Sequence, residues 1–194
     1  RSRTAAQIMD RPDVERIVGE TLDRLAGKAA FDLMDRFCVP IPIDVIASIL
    51  GVDHERLAEF REWSEGVIQG LNPFRTPQQT QAMEVAAAAL NTYFTDAIAD
   101  RRIDPRDDLI TDMVRLQAEG AELSDDELRI NLTALLVGGN LTTTDLIGNA
   151  VRLLLLNPAE LAKLRADPGV INAVVEEVLR YEPPVDITGR IVSG

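Results

Sequence analysis

The chain holds a single cysteine and a single histidine in 194 residues. Lone Cys38 excludes an internal disulfide and every multi-cysteine zinc framework, and it suits a reducing compartment. Lone His54 excludes a histidine-based metal cluster. Aromatic residues make up only 4%, so the core must be aliphatic and packed mainly between helices. Positive charge is scarce: 20 Lys and Arg stand against 32 Asp and Glu, a net charge of −12. That charge repels nucleic-acid phosphates and anionic lipid, so neither nucleic acid nor a membrane surface is expected as a partner. No apolar run reaches the roughly 18 uninterrupted residues of a membrane-spanning helix. The most apolar region is interrupted by Arg152 and by the polar run from Asn140 to Asp145. A soluble, cytoplasmic polypeptide is expected, although the chain opens at Arg1, which leaves room for an upstream segment.

What is present is a hydrophobic fraction of 46%, enough to bury a core of one ordinary domain. No repeat, low-complexity tract or Gly/Ser/Pro linker divides the chain, so residues 1–194 read as one domain. Apolar residues recur at helical spacing along most of it, and an all-α fold follows. Helices are predicted over Pro12–Ala26, Pro40–Leu50, Asp53 to about Gly70, Thr76–Asp100, Asp107–Glu119, Asp125–Leu156, Pro158–Ala166 and Pro168–Tyr181. Their ends carry physical signals: Thr76-x-x-Gln79 and Ser124-x-x-Glu127 are capping boxes, and Gly27, Gly51 and Gly120 are stops. Phe31 to Val39 reads as a short extended piece, and Val185 to Gly194 as a strand.

Two segments are expensive or suggestive enough to carry chemistry. Val137-Gly138-Gly139-Asn140-Leu141-Thr142-Thr143-Thr144-Asp145 lies midway along the longest helix. Each glycine there costs about 1 kcal/mol relative to alanine, and each threonine up to about 0.7 kcal/mol. Missing side chains let a flat ligand approach that face; equally, they let another helix cross it closely. The second segment is Glu177-Val178-Leu179-Arg180, whose charged ends share one helical face and can pair.

In order and spacing, the two segments resemble the signature of cytochromes P-450, the haem-thiolate monooxygenases, of the soluble bacterial type. LLVGGNLTTTDLIGNAV, Leu135 to Val151, is similar to that family's oxygen-binding helix. NPAELAKLRADPGVINAVVEEVLRYEPPVDITGR, Asn157 to Arg190, is similar to the two helices and strand after it, and Phe31 to Gly66 to its middle helices. The resemblance implies a partial cytochrome P-450 fold, mainly helical, with a long central helix and a short C-terminal strand. It implies haem b as cofactor, dioxygen and a small apolar organic molecule as substrates, and an electron-transfer partner such as a ferredoxin. By the same resemblance Gly138 and Gly139 open an oxygen pocket where the helix bends over the haem. Thr142 matches the threonine whose hydroxyl handles dioxygen and its protons. Glu177 and Arg180 match a buried structural ion pair behind the haem, and Arg190 an arginine that binds a haem propionate. Leu141, Val185, Asp186 and Ile187 fall at the substrate pocket, and the turn Gly70 to Thr76, with Phe74, matches either a lid over substrate entry or an ordinary surface turn.

Two departures stand out. Leu141 occupies the place of an acidic residue and Asn140 that of a common histidine, so Thr142 is expected to work with ordered water, helped by Asn140, with Asp145 one turn on. The family's haem-ligating cysteine, in a glycine-containing loop, has no counterpart here: Cys38, in Phe37-Cys38-Val39-Pro40, lacks the flanking glycines and reads as a small buried hydrophobe. The chain is therefore expected to be an internal fragment, inactive by itself. A helical scaffold or interaction module without a cofactor remains as the alternative, and so does a family fold that has lost its activity. His54 is expected to be a solvated first-turn side chain and Trp63 to pack at a helix edge.

Overall fold

The structure is a computed structural model that describes residues 13–185. Eight α-helices account for most of it: α1 (Asp13–Leu25), α2 (Pro40–Leu50), α3 (Leu57–Ile68), α4 (Pro77–Ile103), α5 (Leu109–Ala118), α6 (Asp125–Leu156), α7 (Pro158–Ala166) and α8 (Ile171–Tyr181). No strand occurs among the described residues. The strand expected over Val185 to Gly194 lies outside them, apart from Val185 itself.

Both capping boxes form. Thr76 accepts from the Gln79 N–H, and Ser124 accepts from the Glu127 N–H, with the reciprocal side-chain bonds also made. Gly51 ends α2 at φ 79°, a left-handed conformation that disfavours a side chain. One segment departs from the sequence reading. Met34–Cys38 is a π-helical turn, closed by the Val39 N–H on the Met34 carbonyl at 2.9 Å, and not an extended piece. Five residues are too few for helical periodicity to show.

Helix α6 organises the rest. It buries one stripe, Leu128, Leu132, Leu136, Asn140, Thr144 and Gly148, spaced four apart, and so keeps a single slowly turning face against its neighbours. The three leucines, fully buried, join Ile43, Ala47 and Leu50 of α2, Phe60 of α3, and Leu90, Phe94 and Ile98 of α4 in one core. Each such side chain contributes on the order of 1.5–3 kcal/mol by burial. Toward its end the stripe shrinks to glycine: a Cβ at Gly148 would lie 2.6 Å from Met34 Sδ, so the π-helical turn rests directly on α6 there. Gly66 serves α3 and α4 likewise, since a Cβ would come 2.6 Å from that of Ala86.

Candidate functional site

The weak centre of α6 is helical throughout; the helix runs unbroken from Asp125 to Leu156. Its two glycines have different surroundings. A Cβ on Gly139 would meet Ile46 at 3.1 Å, so this glycine lets α2 cross α6 closely. Among the described residues, a Cβ on Gly138 would meet nothing within 4 Å. Packing thus accounts for Gly139 and gives no reason for Gly138.

Thr142 stands one turn after Gly138 on the same side of the helix, and its hydroxyl donates to the Gly138 carbonyl at 2.7 Å. That bond tethers the hydroxyl over the side-chain-free surface of Gly138 while its oxygen lone pairs remain available. Leu135, also on this side, is exposed. The face presented by Leu135, Gly138 and Thr142 is therefore apolar, flat and furnished with one hydroxyl. Those features suit a planar, mostly apolar group such as a haem. A thiolate ligand is another matter: Cys38 is buried in the π-helical turn, close to Gly148 on the opposite flank of α6, and cannot reach this face. Burial pushes its thiol pKa up, with the charge of Asp32 adding to the effect, the reverse of what a thiolate needs.

Asn140 is not brought to Thr142. Residues two apart on a helix point to nearly opposite sides, and Asn140 is turned inward, 1% exposed, as part of the buried stripe. Leu141 is half-buried beside it, at the wall of a cavity also lined by Thr144 and Asp145. Asp145, on that cavity's edge, has its carboxyl pKa raised by desolvation.

Glu177 and Arg180 do pair, through two bonds of 2.6 and 2.7 Å, but the pair is exposed where the resemblance implied a buried one. Their side chains are 61% and 66% open to solvent. Helix α8 buries only Val178, leaving Ile171, Val175 and Leu179 exposed as well, so no element among the described residues covers the flank where the ions lie. The bond to Arg180 lowers the Glu177 pKa, as expected of a surface pair. Val185 is exposed at the end of the described residues; Asp186, Ile187 and Arg190 lie outside them. Phe74, in the turn before α4, is 90% exposed.

Sequence reasoning missed two clusters. His54 is half-exposed but not free: its ring bonds Asp44 at 3.2 Å and Ser48 at 3.3 Å, fastening the loop after α2 back onto that helix. Asp44 and Ser48 are four apart, the spacing that puts them side by side, but nothing in the sequence brings His54 to them. Trp63 packs edge-on to Phe60 with ring centroids 5.5 Å apart, and the Arg56 guanidinium lies 5.1 Å from both the Trp63 and Tyr93 rings. No group of three or more His, Cys, Asp or Glu side chains among the described residues could hold a metal ion. No helix among them is long and apolar enough to cross a membrane.

No protein-family model matches the chain. Individual proteins do. Cytochrome P450 107B1 of Saccharopolyspora erythraea is 42% identical over 175 residues, covering 90% of this chain and 42% of that protein. The 6-deoxyerythronolide B hydroxylase of the same organism is 38% identical over 184 residues, covering 94% of this chain and 44% of its own length. Among solved structures, P450BioI in complex with hexadec-9Z-enoic acid ligated acyl carrier protein superposes with a TM-score of 0.86 at 32% identity, over 92% of this chain and 46% of that one. The chain thus spans less than half the length of these relatives. Sequence and fold agree over some nine-tenths of the chain, and it belongs to the cytochrome P450 family, with bacterial members as its relatives.

Proposed function

We propose that this chain supplies the dioxygen-side wall of a haem monooxygenase that inserts one oxygen atom into a small apolar organic molecule. The observation carrying this reading is Gly138: a helix-weakening residue on an outward face, with open space where a side chain would stand and Thr142 one turn away. A helical scaffold without cofactor explains Gly139, which admits Ile46, but leaves Gly138 unexplained.

Bound haem would supply the redox and oxygen chemistry, fed with electrons by a separate partner such as a ferredoxin. The chain's own residues have simpler tasks. Gly138 leaves room for a flat ring, Leu135 keeps that side apolar, and Thr142 holds a hydroxyl at a fixed place, able to pass a proton between water and a ligand. With Leu141 beside Thr142 in sequence, no carboxylate relays that proton from the adjacent position, so water must do so. Arg190 is proposed to hold a haem propionate by its guanidinium fork, and Val185, Asp186 and Ile187 to border the substrate. The hydroxylase relative acts, by its name, on 6-deoxyerythronolide B, and P450BioI was solved with a fatty acyl carrier protein; both support a largely apolar substrate. The chain alone is expected to catalyse nothing, since its only cysteine is buried away from the proposed face.

The test is a reduced carbon-monoxide difference spectrum of the whole polypeptide, because thiolate-ligated haem shifts its main absorption band characteristically. A shifted band supports the reading; haem-free protein, or haem without that shift, overturns it. Sequence continuing past Gly194 offers a cheaper check, a Phe-x-x-Gly-x-x-x-Cys-x-Gly run supporting the enzyme over the scaffold.

A further inference from the structure

At the turn that follows α2, three side chains outside the Gly138 and Thr142 face form a chain of hydrogen bonds. The Asp44 carboxylate lies 3.2 Å from His54 Nδ1, and Ser48 Oγ lies 3.3 Å from His54 Nε2. Asp44 and Ser48 stand one turn apart on α2, both only partly buried. His54 is brought to them by the backbone. Gly51 turns the chain at φ 79°, and Asp53 caps the short 3₁₀ turn His54–Arg56 by accepting from the Glu55 N–H at 3.0 Å. The Asp53 N–H in turn donates to the Tyr93 hydroxyl at 3.1 Å. The turn that carries the imidazole is thus held by contacts that involve neither Asp44 nor Ser48.

The order of the bonds fixes which atom holds which proton. A carboxylate can only accept, so Nδ1 carries the hydrogen that Asp44 receives. In the neutral ring Nε2 then has a lone pair and no hydrogen, and the Ser48 hydroxyl must be the donor. Ser48 therefore presents its oxygen with a base already on its proton and a carboxylate orienting that base, the relation that activates a serine nucleophile. The His54 side chain is 48% open to solvent and that of Asp44 23%, so a reagent can approach and the ring can pass its proton to water. Turnover asks for more. The Gly51 and Val52 N–H groups at the end of the helix both donate to the Ala47 carbonyl, at 2.9 and 3.1 Å, and so are not free to steady an oxyanion.

We propose that Ser48 is a covalent modification site, accepting acyl or phosphonyl groups from activated donors. Its oxygen attacks the electrophilic carbon or phosphorus, an Oγ–C or Oγ–P bond forms, and the bond to the leaving group breaks with its electron pair going to that group. The hydroxyl proton passes to His54 Nε2 and on to solvent. Asp44 is a positioning residue, acting through the imidazole. With the N–H groups of Gly51 and Val52 already used, the product is a lasting adduct rather than a substrate in turnover. A latch that ties the turn to α2 accounts for the Asp44 bond but predicts no reactivity at Ser48. The site is independent of the haem reading.

The whole polypeptide, treated with an alkyl fluorophosphonate, tests this, the adduct being located by tandem mass spectrometry. Wild-type protein should lose fluoride from the reagent and carry the phosphonyl group on Ser48 ahead of its other serines. A label absent from Ser48, or spread evenly over the serines, overturns the proposal whatever the variants do. His54→Gln should slow labelling of Ser48 by on the order of 10²-fold or more, the loss expected when a general base is removed. Asp44→Asn should slow it too, because an amide can donate to Nδ1 and favour the ring with its hydrogen on Nε2. Asp44→Glu, which keeps a carboxylate, should recover part of the rate. Labelling that is indifferent to His54→Gln assigns the reactivity to exposure alone and overturns the proposal.

Discussion

Arg101 Nε and the Asp108 carboxylate lie 2.6 Å apart, with only 4% of each side chain exposed. The pair joins three helices at one point. Asp108 also caps α5 by accepting from the Thr111 N–H at 2.8 Å, and Arg101 donates from its other arm to the Gly51 carbonyl at the end of α2 at 2.6 Å. Its remaining nitrogen reaches Asp100 at 2.7 Å, so the buried guanidinium is well supplied with acceptors. Removing one partner of such a pair strands the other charge. Arg101→Met is expected to cost about 3–5 kcal/mol in urea unfolding. Combined with Asp108→Asn, the loss should fall short of the sum of the single losses, because the charge left behind by each single change is then gone; strict additivity would show that the two do not act as a unit.

Gly51 is held by the same cluster. Its φ of 79° already disfavours a side chain, and a Cβ there would fall on the Asp108 carboxylate. Gly27, at φ 75°, has nothing among the described residues within 4 Å of a Cβ position. Alanine at Gly27 should therefore cost only the backbone strain, about 1–2 kcal/mol. Alanine at Gly51 should cost more, because it also displaces Asp108 from Arg101. Equal losses in calorimetric melting would mean that the ion pair can shift without penalty.

These clusters show where sequence reading succeeds and where it stops. The capping boxes at Thr76 and Ser124 were legible because both partners are three residues apart and the bond is local. The long α6 was legible as one helix for the same reason, while the inward turn of Asn140, which depends on what packs against that face, was not. The Glu177 and Arg180 pair was legible as a pair, but its exposure was not, since burial depends on what else packs on α8. Arg101 and Asp108 belong to two helices separated by a turn, and no local pattern announces that Gly51, fifty positions before Arg101, closes the triangle. At the candidate site, sequence identified the Gly-Gly step as a place of weakness; only the surroundings of each residue separated the glycine that serves packing from the one that does not.

Acid should loosen the start of α6. The Asp125 carboxylate accepts from Arg102 at 2.5 Å and from Gln117 at 2.9 Å, which lowers its pKa from 3.8 to about 2. The unfolded chain takes up this proton first, so the stabilisation is fully present above the ordinary aspartate pKa and disappears as pH falls through about 2. Because the side chain is 48% exposed, screening keeps the effect modest. Asp125→Asn should melt slightly lower than wild type at pH 7, with the two melting curves converging between about pH 4 and pH 2. A constant gap across that range would assign the acid sensitivity to other carboxylates.

Gly138 and Gly139 allow the packing and ligand explanations to be separated by opposite responses. Alanine is the better helix former by about 1 kcal/mol, so Gly138→Ala, with open space around the new methyl, should raise the melting temperature of this chain by on the order of 2–4 °C. Gly139→Ala makes the same helical gain but presses on Ile46 at 3.1 Å, so it should be neutral or destabilising. In the whole polypeptide the order should reverse for haem. A methyl at Gly138 would stand on the surface proposed to lie against the ring, so Gly138→Ala is expected to purify with less haem per protein, measured by absorbance after extraction, while Gly139→Ala should retain more. A residue whose replacement stabilises the polypeptide yet impairs cofactor retention is one kept for the ligand and not for the fold. If Gly138→Ala stabilises the chain and leaves haem content unchanged, the open face has another use, and the scaffold reading gains the ground that the haem reading loses.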